Sequence, residues 1–166
     1  LSAQTAFDFN KSGIAKYDGG QYEAAIEDYR RAIQIDPSFH HAYHNIGLAL
    51  GALGKYDEAL ESYNEAIRVN PRYKEAYLGR GWVKERSGLI DAAISDYSRA
   101  IELDPNYGEA LYNRGFVRTS MKSYYEAIED FTTVINLKHN LSNAYNERGR
   151  CKHALGKYEE AIEDYK

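Results

Sequence analysis

Residues 40–73 read HHAYHNIGLALGALGKYDEALESYNEAIRVNPRY, and the characteristic residues of this stretch recur along the chain every 34 residues. Its eighth position is Gly47 and its twentieth is Ala59. The same two residue types occupy those positions in the other repeats, as Gly13, Gly81, Gly115 and Gly149 and as Ala25, Ala93, Ala127 and Ala161. A unit this short cannot bury its own apolar face, so we expect neighbouring repeats to stack on one another.

The period divides the chain without an inserted or deleted position. The repeats span residues 6–39, 40–73, 74–107 and 108–141, and a partial fifth spans 142–166. We therefore predict a single array over residues 1–166. Because the fifth repeat stops inside its own pattern, we also expect the native protein to be longer.

Each repeat contains two runs of apolar residues at helical spacing. Between the runs lies a glycine, which suits the left-handed residue that follows a helix C-terminus. These glycines are Gly20, Gly54, Gly88 and Gly156, and Lys122 replaces the glycine in the fourth repeat. The second run ends before Pro37, Pro71 or Pro105, because proline cannot continue a helix, and His139 stands in the fourth proline's place. The pattern predicts ten short helices, antiparallel within each repeat.

Small residues and rings alternate along these helices. Two helices approach closely only where neither has a bulky side chain, so we expect Gly47 to face Ala59. Rings at positions four, seventeen and twenty-four, such as Tyr43, Tyr56 and Tyr63, are typical of a helical core rather than of a cofactor site.

The chain resembles the tetratricopeptide repeat (TPR) proteins over residues 6–166. Tyr43, Ile46 and Gly47 match the start of that pattern. Ala59, Tyr63 and Pro71 match its later part. The resemblance implies an all-α, right-handed superhelical solenoid of antiparallel helix pairs, with a concave groove lined by the first helix of every repeat and used for binding protein segments.

A charged departure from that pattern occurs at position seven, which is usually apolar in the family. It is arginine in three repeats, and each of these has aspartate at position twenty-three: Arg80 with Asp96, Arg114 with Asp130, and Arg148 with Asp164. Repeat two has Ile46 with Ser62, whereas repeat one has Ser12 with Asp28, so Asp28 needs another partner. We predict structural ion pairs between the two helices, with an anion site as the alternative.

The resemblance places the groove at positions two, five, nine and twelve of each repeat. The predicted peptide-binding residues are His41, His44, Leu48, Leu78, Trp82, Tyr112, Asn113 and Phe116. Trp82 is the only tryptophan, and tryptophan and tyrosine are enriched at binding hot spots. The alternative for Trp82 and Phe116 is packing on neighbouring first helices. Acidic residues near this strip, Glu75 and Glu109, favour ligands with basic flanks.

We consider three alternative functions for this repeat array. The first is a protein-protein interaction module that binds a peptide or protein segment in the groove. The second, a chaperone adaptor gripping a C-terminal carboxylate, is disfavoured, because from the first repeat the required positions hold Asn10, Ile14, Asn45, Glu75 and Gly79, and the other frames fail too. The third is a targeting or assembly arm of a larger enzyme. Homo-oligomerisation through the uncapped last repeat is a further expectation.

Several function classes find no support in the sequence. The net charge of −4 gives no basic footprint for nucleic acid. Short apolar runs and the missing signal peptide predict no membrane insertion and a cytoplasmic location. No phosphate loop, nucleophile elbow or zinc motif occurs, so we expect neither an enzyme nor a cofactor. His40, His41 and His44 share a helix face, but without a fourth ligand we predict no metal site. The pattern indicates that Cys151 is a small buried packing residue.

Overall fold

A computed structural model describes residues 4–166, apart from the side chain of Leu141, and shows ten α-helices and no strand in that range. The helices are α1 Ala6–Asp18, α2 Tyr22–Ile35, α3 His40–Ala52, α4 Tyr56–Val69, α5 Lys74–Arg86, α6 Ile90–Leu103, α7 Gly108–Ser120, α8 Tyr124–Asn136, α9 Leu141–Ala154 and α10 Tyr158–Tyr165. No helix within these residues is long and apolar enough to span a bilayer. The predicted all-α repeat architecture is confirmed.

The chain divides into two compact units, Leu1–Leu89 with α1 to α5 and Ile90–Lys166 with α6 to α10. In the first unit each helix packs on the next, and the first helices of consecutive repeats also touch, α1 with α3 and α3 with α5. The second unit repeats this arrangement, with α7 also touching α9. Residues 1–3 of the predicted array lie outside the described residues. The extent of a single array over 1–166 stays a prediction.

The turn inside each repeat needs a left-handed residue. Gly20, Gly54, Gly88 and Gly156 adopt φ angles between 73° and 78° there. Lys122 takes the same role with a φ of 63°. A side chain in this conformation brings its Cβ close to the backbone, so the turn of the fourth repeat is strained in a way that the glycine turns are not.

The turn between repeats is fixed by a side chain that precedes the proline. Asp36 accepts a hydrogen bond from the backbone amide of Ser38 at 2.9 Å, and Asn70 and Asp104 make the equivalent bond at 3.1 and 3.0 Å. The fourth turn has Lys138 in that place and His139 instead of proline. Two residues there, Lys138 and Asn140, adopt φ angles of 54° and 44°. Without the carboxylate or amide, the backbone follows a different path into α9.

The close approach within the first, second, fourth and fifth repeats involves a ring rather than an alanine. A methyl group added to Gly47 would lie only 2.8 to 2.9 Å from the nearest atoms of the Tyr63 ring. Gly13 and Gly149 face Tyr29 and Tyr165 in the same way. The expectation that the glycine faces the alanine of position twenty is therefore corrected. The missing Cβ makes room for the flat ring of position twenty-four, and in the first four repeats that ring is at most 1% exposed.

The second and third repeats share one of these rings. Tyr63 is covered on one side by Gly47 of α3 and on the other by Gly79 of α5, whose Cβ would lie 2.5 Å from the ring. Burial raises the pKa of the Tyr63 hydroxyl well above its usual 10. One ring thus closes its own repeat and supports the next, which is how a short repeat obtains a continuous core.

Cys151 is the only cysteine and lies in the core of the second unit, with no exposed surface. Its Sγ lies 3.1 Å from Oγ1 of Thr119 on α7. Burial raises the pKa of the thiol, the hydrogen bond to Thr119 acting in the opposite direction. The residue packs between α9 and α7 as the sequence pattern indicates.

Candidate interaction surfaces

In both units, position nine of the first helices bears large apolar side chains that are partly exposed. In α1, α3, α5 and α7 this position is Ile14, Leu48, Trp82 and Phe116, and their exposed fractions are 42%, 36%, 40% and 44%. In α9, position nine is Arg150. We call the set of Ile14, Leu48 and Trp82 in the first unit and Phe116 in the second the position-nine row. Large apolar side chains on an otherwise polar surface are a common mark of an interaction site.

In the first unit, Trp82 both packs and remains accessible. Its ring meets Tyr56 edge-on, with centroids 6.3 Å apart and planes at 80°. Its Cζ3 atom lies 3.3 Å from the place a Cβ on Gly51 would take. Both interpretations of Trp82 therefore have a structural basis, because one edge rests on α3 and α4 while 40% of the side chain faces solvent.

The other residues predicted for this unit differ in accessibility. His41 is exposed and Leu78 is half-buried. His44 packs edge-on against Tyr63 and Tyr73, with centroids 5.6 and 5.3 Å away. Burial, and then the charges of neighbouring histidines, lower the pKa of His44 to about 4. The His44 ring is therefore neutral at physiological pH, and its Nδ1 atom is buried without a hydrogen-bond partner among the described residues.

In the second unit, the three predicted residues lie on α7. Tyr112 is half-buried and meets Phe131 edge-on at 5.7 Å, and Asn113 is half-buried beside it. Phe116 lines a hollow together with Glu147 and Arg150 of α9. Those two residues form an ion pair at 2.9 Å, so this hollow combines an apolar wall with a charged one.

Arginine and aspartate meet in two of the three repeats for which ion pairs are predicted. Arg114 reaches Asp130 through Nη2 at 2.7 Å and Nε at 3.1 Å. Arg148 reaches Asp164 through Nη2 at 2.5 Å and Nε at 2.9 Å. These forked, two-point contacts are the geometry in which arginine binds carboxylates most strongly. Arg80 and Asp96 belong to different units, so their pairing stays a prediction.

A second cation, at position eleven, forms an ion pair with each of these carboxylates. This pair was not predicted from the sequence. Arg118 lies 2.6 Å from Asp130, and Lys152 lies 2.8 Å from Asp164. Asp28 of the first repeat finds its partner in the same place, because Lys16 lies 2.6 Å away. The signal was available: position eleven is Lys or Arg in every repeat except the second, where it is Leu50. We call positions seven, eleven and twenty-three the ion cluster.

The arginine of position seven also reaches the preceding repeat. Its Nη1 donates to position twenty-five of that repeat, so that Arg80 binds Asn64 at 2.6 Å. In the second unit, Arg114 binds Ser98 at 3.0 Å and Arg148 binds Thr132 at 3.1 Å. One guanidinium in the second unit thus ties together the second helices of two consecutive repeats. Sequence reasoning within a single repeat does not reveal this contact.

Metal ligands do not converge in the described part of the chain, where no group of three or more His, Cys, Asp or Glu side chains is arranged to hold an ion. The rings of His40 and His41 instead stack on each other with centroids 4.1 Å apart. Nε2 of His40 lies 3.2 Å from Nδ2 of Asn70. The histidines take part in packing between α3 and the turn that precedes α5.

Helix pairs of 34 residues, stacked through a glycine and ring contact, define a helical-repeat protein. Three family models match the chain: one described as TPR repeat over residues 13–54, and two described as Tetratricopeptide repeat over residues 44–108 and 142–166. The chain belongs to the tetratricopeptide repeat proteins. No curated sequence matches it.

Solved structures share the fold. The chain is similar to MamA, with 27% identity, coverage of 92% of this chain and 90% of that chain, and a TM-score of 0.83. It is also similar to the first TPR of Spaghetti (RPAP3) bound to the HSP90 peptide SRMEEVD, with 27% identity, coverage of 73% and 96%, and a TM-score of 0.68. PilF of Pseudomonas aeruginosa, at 22% identity, coverage of 96% and 73%, and a TM-score of 0.88, shares the fold alone.

Proposed function

We propose that the chain is a protein-interaction scaffold that binds a peptide or protein segment on the side of its first helices. The position-nine row supplies the apolar anchors, with Trp82 as the principal contact. In the first unit, we propose His41, His44, Leu48 and Leu78 as further contact residues. In the second unit, we propose Tyr112, Asn113 and Phe116 as the contact residues. No catalytic step is assigned to these residues.

The observation that carries this proposal is the exposure of the whole position-nine row. Each of its four members keeps more than a third of its side chain in solvent, although the neighbouring position eight is buried. A continued display of large apolar groups costs solubility, and proteins maintain it where a partner covers it. The TPR of Spaghetti, at 27% identity, is a peptide-bound example of the fold and supports the same use here.

The preferred ligand is an extended or helical segment with apolar anchors and basic flanks. Glu75 at position two of α5 is half-buried, and Glu109 at position two of α7 is exposed. Carboxylates near an apolar strip attract lysine and arginine on the ligand and repel acidic residues. The ligand would thus be selected by both burial and charge.

The decisive test uses peptides selected from a random phage-displayed library against the protein. Trp82→Ala should weaken a groove-binding peptide by about 2 kcal/mol or more, roughly thirtyfold in Kd, if the ring is a hot spot. Tyr125→Ala is the matched control, since Tyr125 is an aromatic residue that is 65% exposed on the second helix α8. Equal binding by the parent and Trp82→Ala would show that the groove assignment is wrong.

We also propose that the chain is not a carboxylate-clamp adaptor. The clamp positions of the first frame include Ile14 and Gly79, which offer no charged donor, and Glu75, which repels an anion. The peptide SRMEEVD, the ligand of the Spaghetti structure, tests this directly. We expect no binding at millimolar peptide in calorimetry. Measurable binding that disappears when the terminal carboxylate is amidated would overturn the exclusion.

Two alternative functions are self-association and a role as the targeting or assembly segment of a larger enzyme. Self-association would place α10 of one copy, which bears Tyr165 at position twenty-four of the fifth repeat, against an equivalent helix of another copy. Sedimentation velocity should show dimers at high protein concentration that Tyr165→Ser removes. A strict monomer throughout would exclude self-association through this helix.

A further inference from the structure

The second repeat contains a crevice on the side of the second helices, within the first unit. It lies between α2, α3 and α4 and includes the ion-cluster positions of this repeat, which are Ile46, Leu50 and Ser62. Arg30, at position twenty-five of the preceding repeat, also lines it. The remaining wall residues are Ile33, Tyr43, Glu58, Glu61 and Glu65.

The crevice occupies the place that charged side chains fill in other repeats. In the fourth repeat, Arg114 and Arg118 converge on Asp130, and Arg114 also binds Ser98 of the preceding repeat. The second repeat has isoleucine, leucine and serine at the three cluster positions, so no ion pair spans the gap there. Ser62 donates instead to the backbone carbonyl of Glu58 on its own helix, at 3.0 Å. Three coordinated differences thus put an apolar floor where the fourth repeat has an ion cluster.

This floor is separate from the proposed groove. Ile46 and Leu50 each lie two positions from Leu48 along α3. At 100° per residue, two positions correspond to 200°, so the floor and the position-nine row occupy opposite faces of the same helix. Ile46 and Leu50 are 6% and 3% exposed, which makes the floor apolar and closely packed. A ligand in the crevice therefore makes no direct contact with the face that bears Leu48.

The rim of the crevice is predominantly acidic. Three carboxylates, Glu58, Glu61 and Glu65, line the α4 side. Glu65 is paired with Arg68 at 2.8 Å, whereas Glu58 and Glu61 make no ion pair with any residue in the described range. Arg30 is the single cation in the lining. The rim therefore favours a positively charged group beside the α4 wall.

We propose that this crevice binds a peptide segment in which an aliphatic side chain is flanked by lysine or arginine. The aliphatic side chain contacts Ile33 and Tyr43, which are half-buried in the crevice wall above the closely packed floor. Removal of their remaining apolar surface from water drives association. The flanking cation pairs with Glu58 or Glu61 and fixes the orientation of the peptide. Arg30, on the opposite wall, repels a second cation there, so the two sides of the crevice distinguish the two ends of the segment.

Matched synthetic peptides test the proposal. The probe is Gly-Ser-Lys-Leu-Ser-Ser-Gly, which has a single cation beside the leucine, and the controls replace the lysine with glutamate or the leucine with serine. Methyl-labelled protein in an NMR titration should show shifts confined to Ile33, Ile46, Leu50 and their neighbours. We expect the lysine peptide to bind at least tenfold more tightly than either control. Equal binding of the glutamate peptide, or the absence of any shift at millimolar peptide, would overturn the proposal.

Protein variants then locate the site. The triple variant I46R/L50R/S62D installs the cluster residues of the fourth repeat, which this scaffold already accommodates, and should abolish the shifts. E58Q/E61Q leaves the floor intact and should weaken the lysine peptide at least tenfold while leaving the circular dichroism spectrum unchanged. Trp82→Ala should have no effect, which separates this site from the groove. Unchanged affinity in E58Q/E61Q, or loss of affinity in Trp82→Ala, would contradict the assignment.

Discussion

The second and fourth repeats reach the same backbone arrangement with different chemistry. In α3 and α4, Gly47 lies against the ring of Tyr63, and in α7 and α8, Gly115 lies against Phe131. Both rings are buried to 1% exposure or less. At positions seven, eleven and twenty-three, however, one repeat has isoleucine, leucine and serine and the other has two arginines and an aspartate.

This comparison distinguishes the contact that brings the two helices together from the three positions at which the residues vary between repeats. The glycine and ring contact is present in both repeats and brings the helices together. The three variable positions tolerate either chemistry, provided that cation and carboxylate change together, because a buried charge without its partner is costly. The fold is thus compatible with an internal ion cluster or with an apolar crevice at the same place.

The largest expected effect is the loss of the fourth repeat's carboxylate. Asp130→Ala leaves Arg114 and Arg118 without their carboxylate, and their side chains are only 16% and 22% exposed. We expect the free energy of unfolding of the second unit to fall by about 3 kcal/mol in urea denaturation. Ser62→Ala, at the same position of the second repeat, should change stability by about 0.5 kcal/mol at most. Equal effects of the two changes would show that the ion cluster adds nothing.

A methyl group at the close helix contact should have the next largest effect. A Cβ on Gly47 would lie 2.8 Å from the Tyr63 ring, whereas on Gly115 it would lie 3.0 Å from Phe131. We expect Gly47→Ala to cost about 2 kcal/mol and Gly115→Ala about 1 kcal/mol, as typical for overpacking.

Gly51→Ala in the same helix α3 is the control for that pair. Its nearest side-chain neighbour is the exposed Trp82 ring at 3.3 Å, which has room to shift. Alanine is favoured over glycine in a helix interior, so this change should be neutral or stabilise by about 0.5 kcal/mol. Thermal denaturation that ranks Gly51→Ala below Gly47→Ala would contradict the ring contact as the point that limits the helix approach.

Acid should weaken the ion cluster of the first repeat, whereas the second repeat has no carboxylate at position twenty-three to protonate. Burial raises the pKa of Asp28, but the hydrogen bonds and charge of Lys16, the Ser12 hydroxyl and the charge of Arg31 outweigh it, so the pKa lies below the usual 3.8. A lowered folded pKa gives stability that is present above the unfolded pKa and lost as pH falls through the folded one.

The stability difference between the parent and Asp28→Asn should therefore be constant above about pH 5 and shrink below about pH 4. Urea midpoints measured across this range provide the check. The difference between the parent and Ser62→Ala should stay flat, since no carboxylate titrates at that position. A flat profile for Asp28→Asn would mean that Lys16 does not stabilise the ionised form.

The smallest expected effect concerns the turn inside the repeat. Lys122 has a φ of 63°, and Gly54 occupies the equivalent turn of the second repeat with a φ of 73°. Lys122→Gly should stabilise the second unit by about 0.5–1 kcal/mol, because glycine adopts this conformation without a Cβ clash. Gly54→Lys should destabilise the first unit by a similar amount. Melting temperatures that move in the opposite directions would contradict the strain at Lys122.

The fold was predictable because the glycines and prolines that end its helices recur at a fixed spacing in the sequence. The spacing of Gly20, Gly54 and Gly88 predicts helix ends that the structure places within a few residues, and three prolines predict the turns between repeats. The facing partner of the glycine was predicted wrongly. Helical spacing tells which residues share a face, but it does not tell which residue on the opposite helix reaches that face.

The candidate site was only partly predictable. Covariation of positions seven and twenty-three within a repeat pointed to residues that meet in two repeats, Arg114 with Asp130 and Arg148 with Asp164. The contact of Arg114 with Ser98 joins two repeats, so no pattern inside one repeat indicates it. The crevice of the second repeat was missed for a related reason. It arises from residues that are absent there, and its shape depends on side chains from three helices.

The placement of two singular residues gives each unit its own reporter. Trp82 is the only tryptophan and lies in the first unit, whereas Cys151 is the only cysteine and lies in the second. The thiolate is the reactive form of cysteine, and the burial and raised pKa of Cys151 make its modification depend on opening of the surrounding helices. Thiol-labelling kinetics and tryptophan emission therefore time the opening of the two halves separately, in the unaltered chain and in one sample.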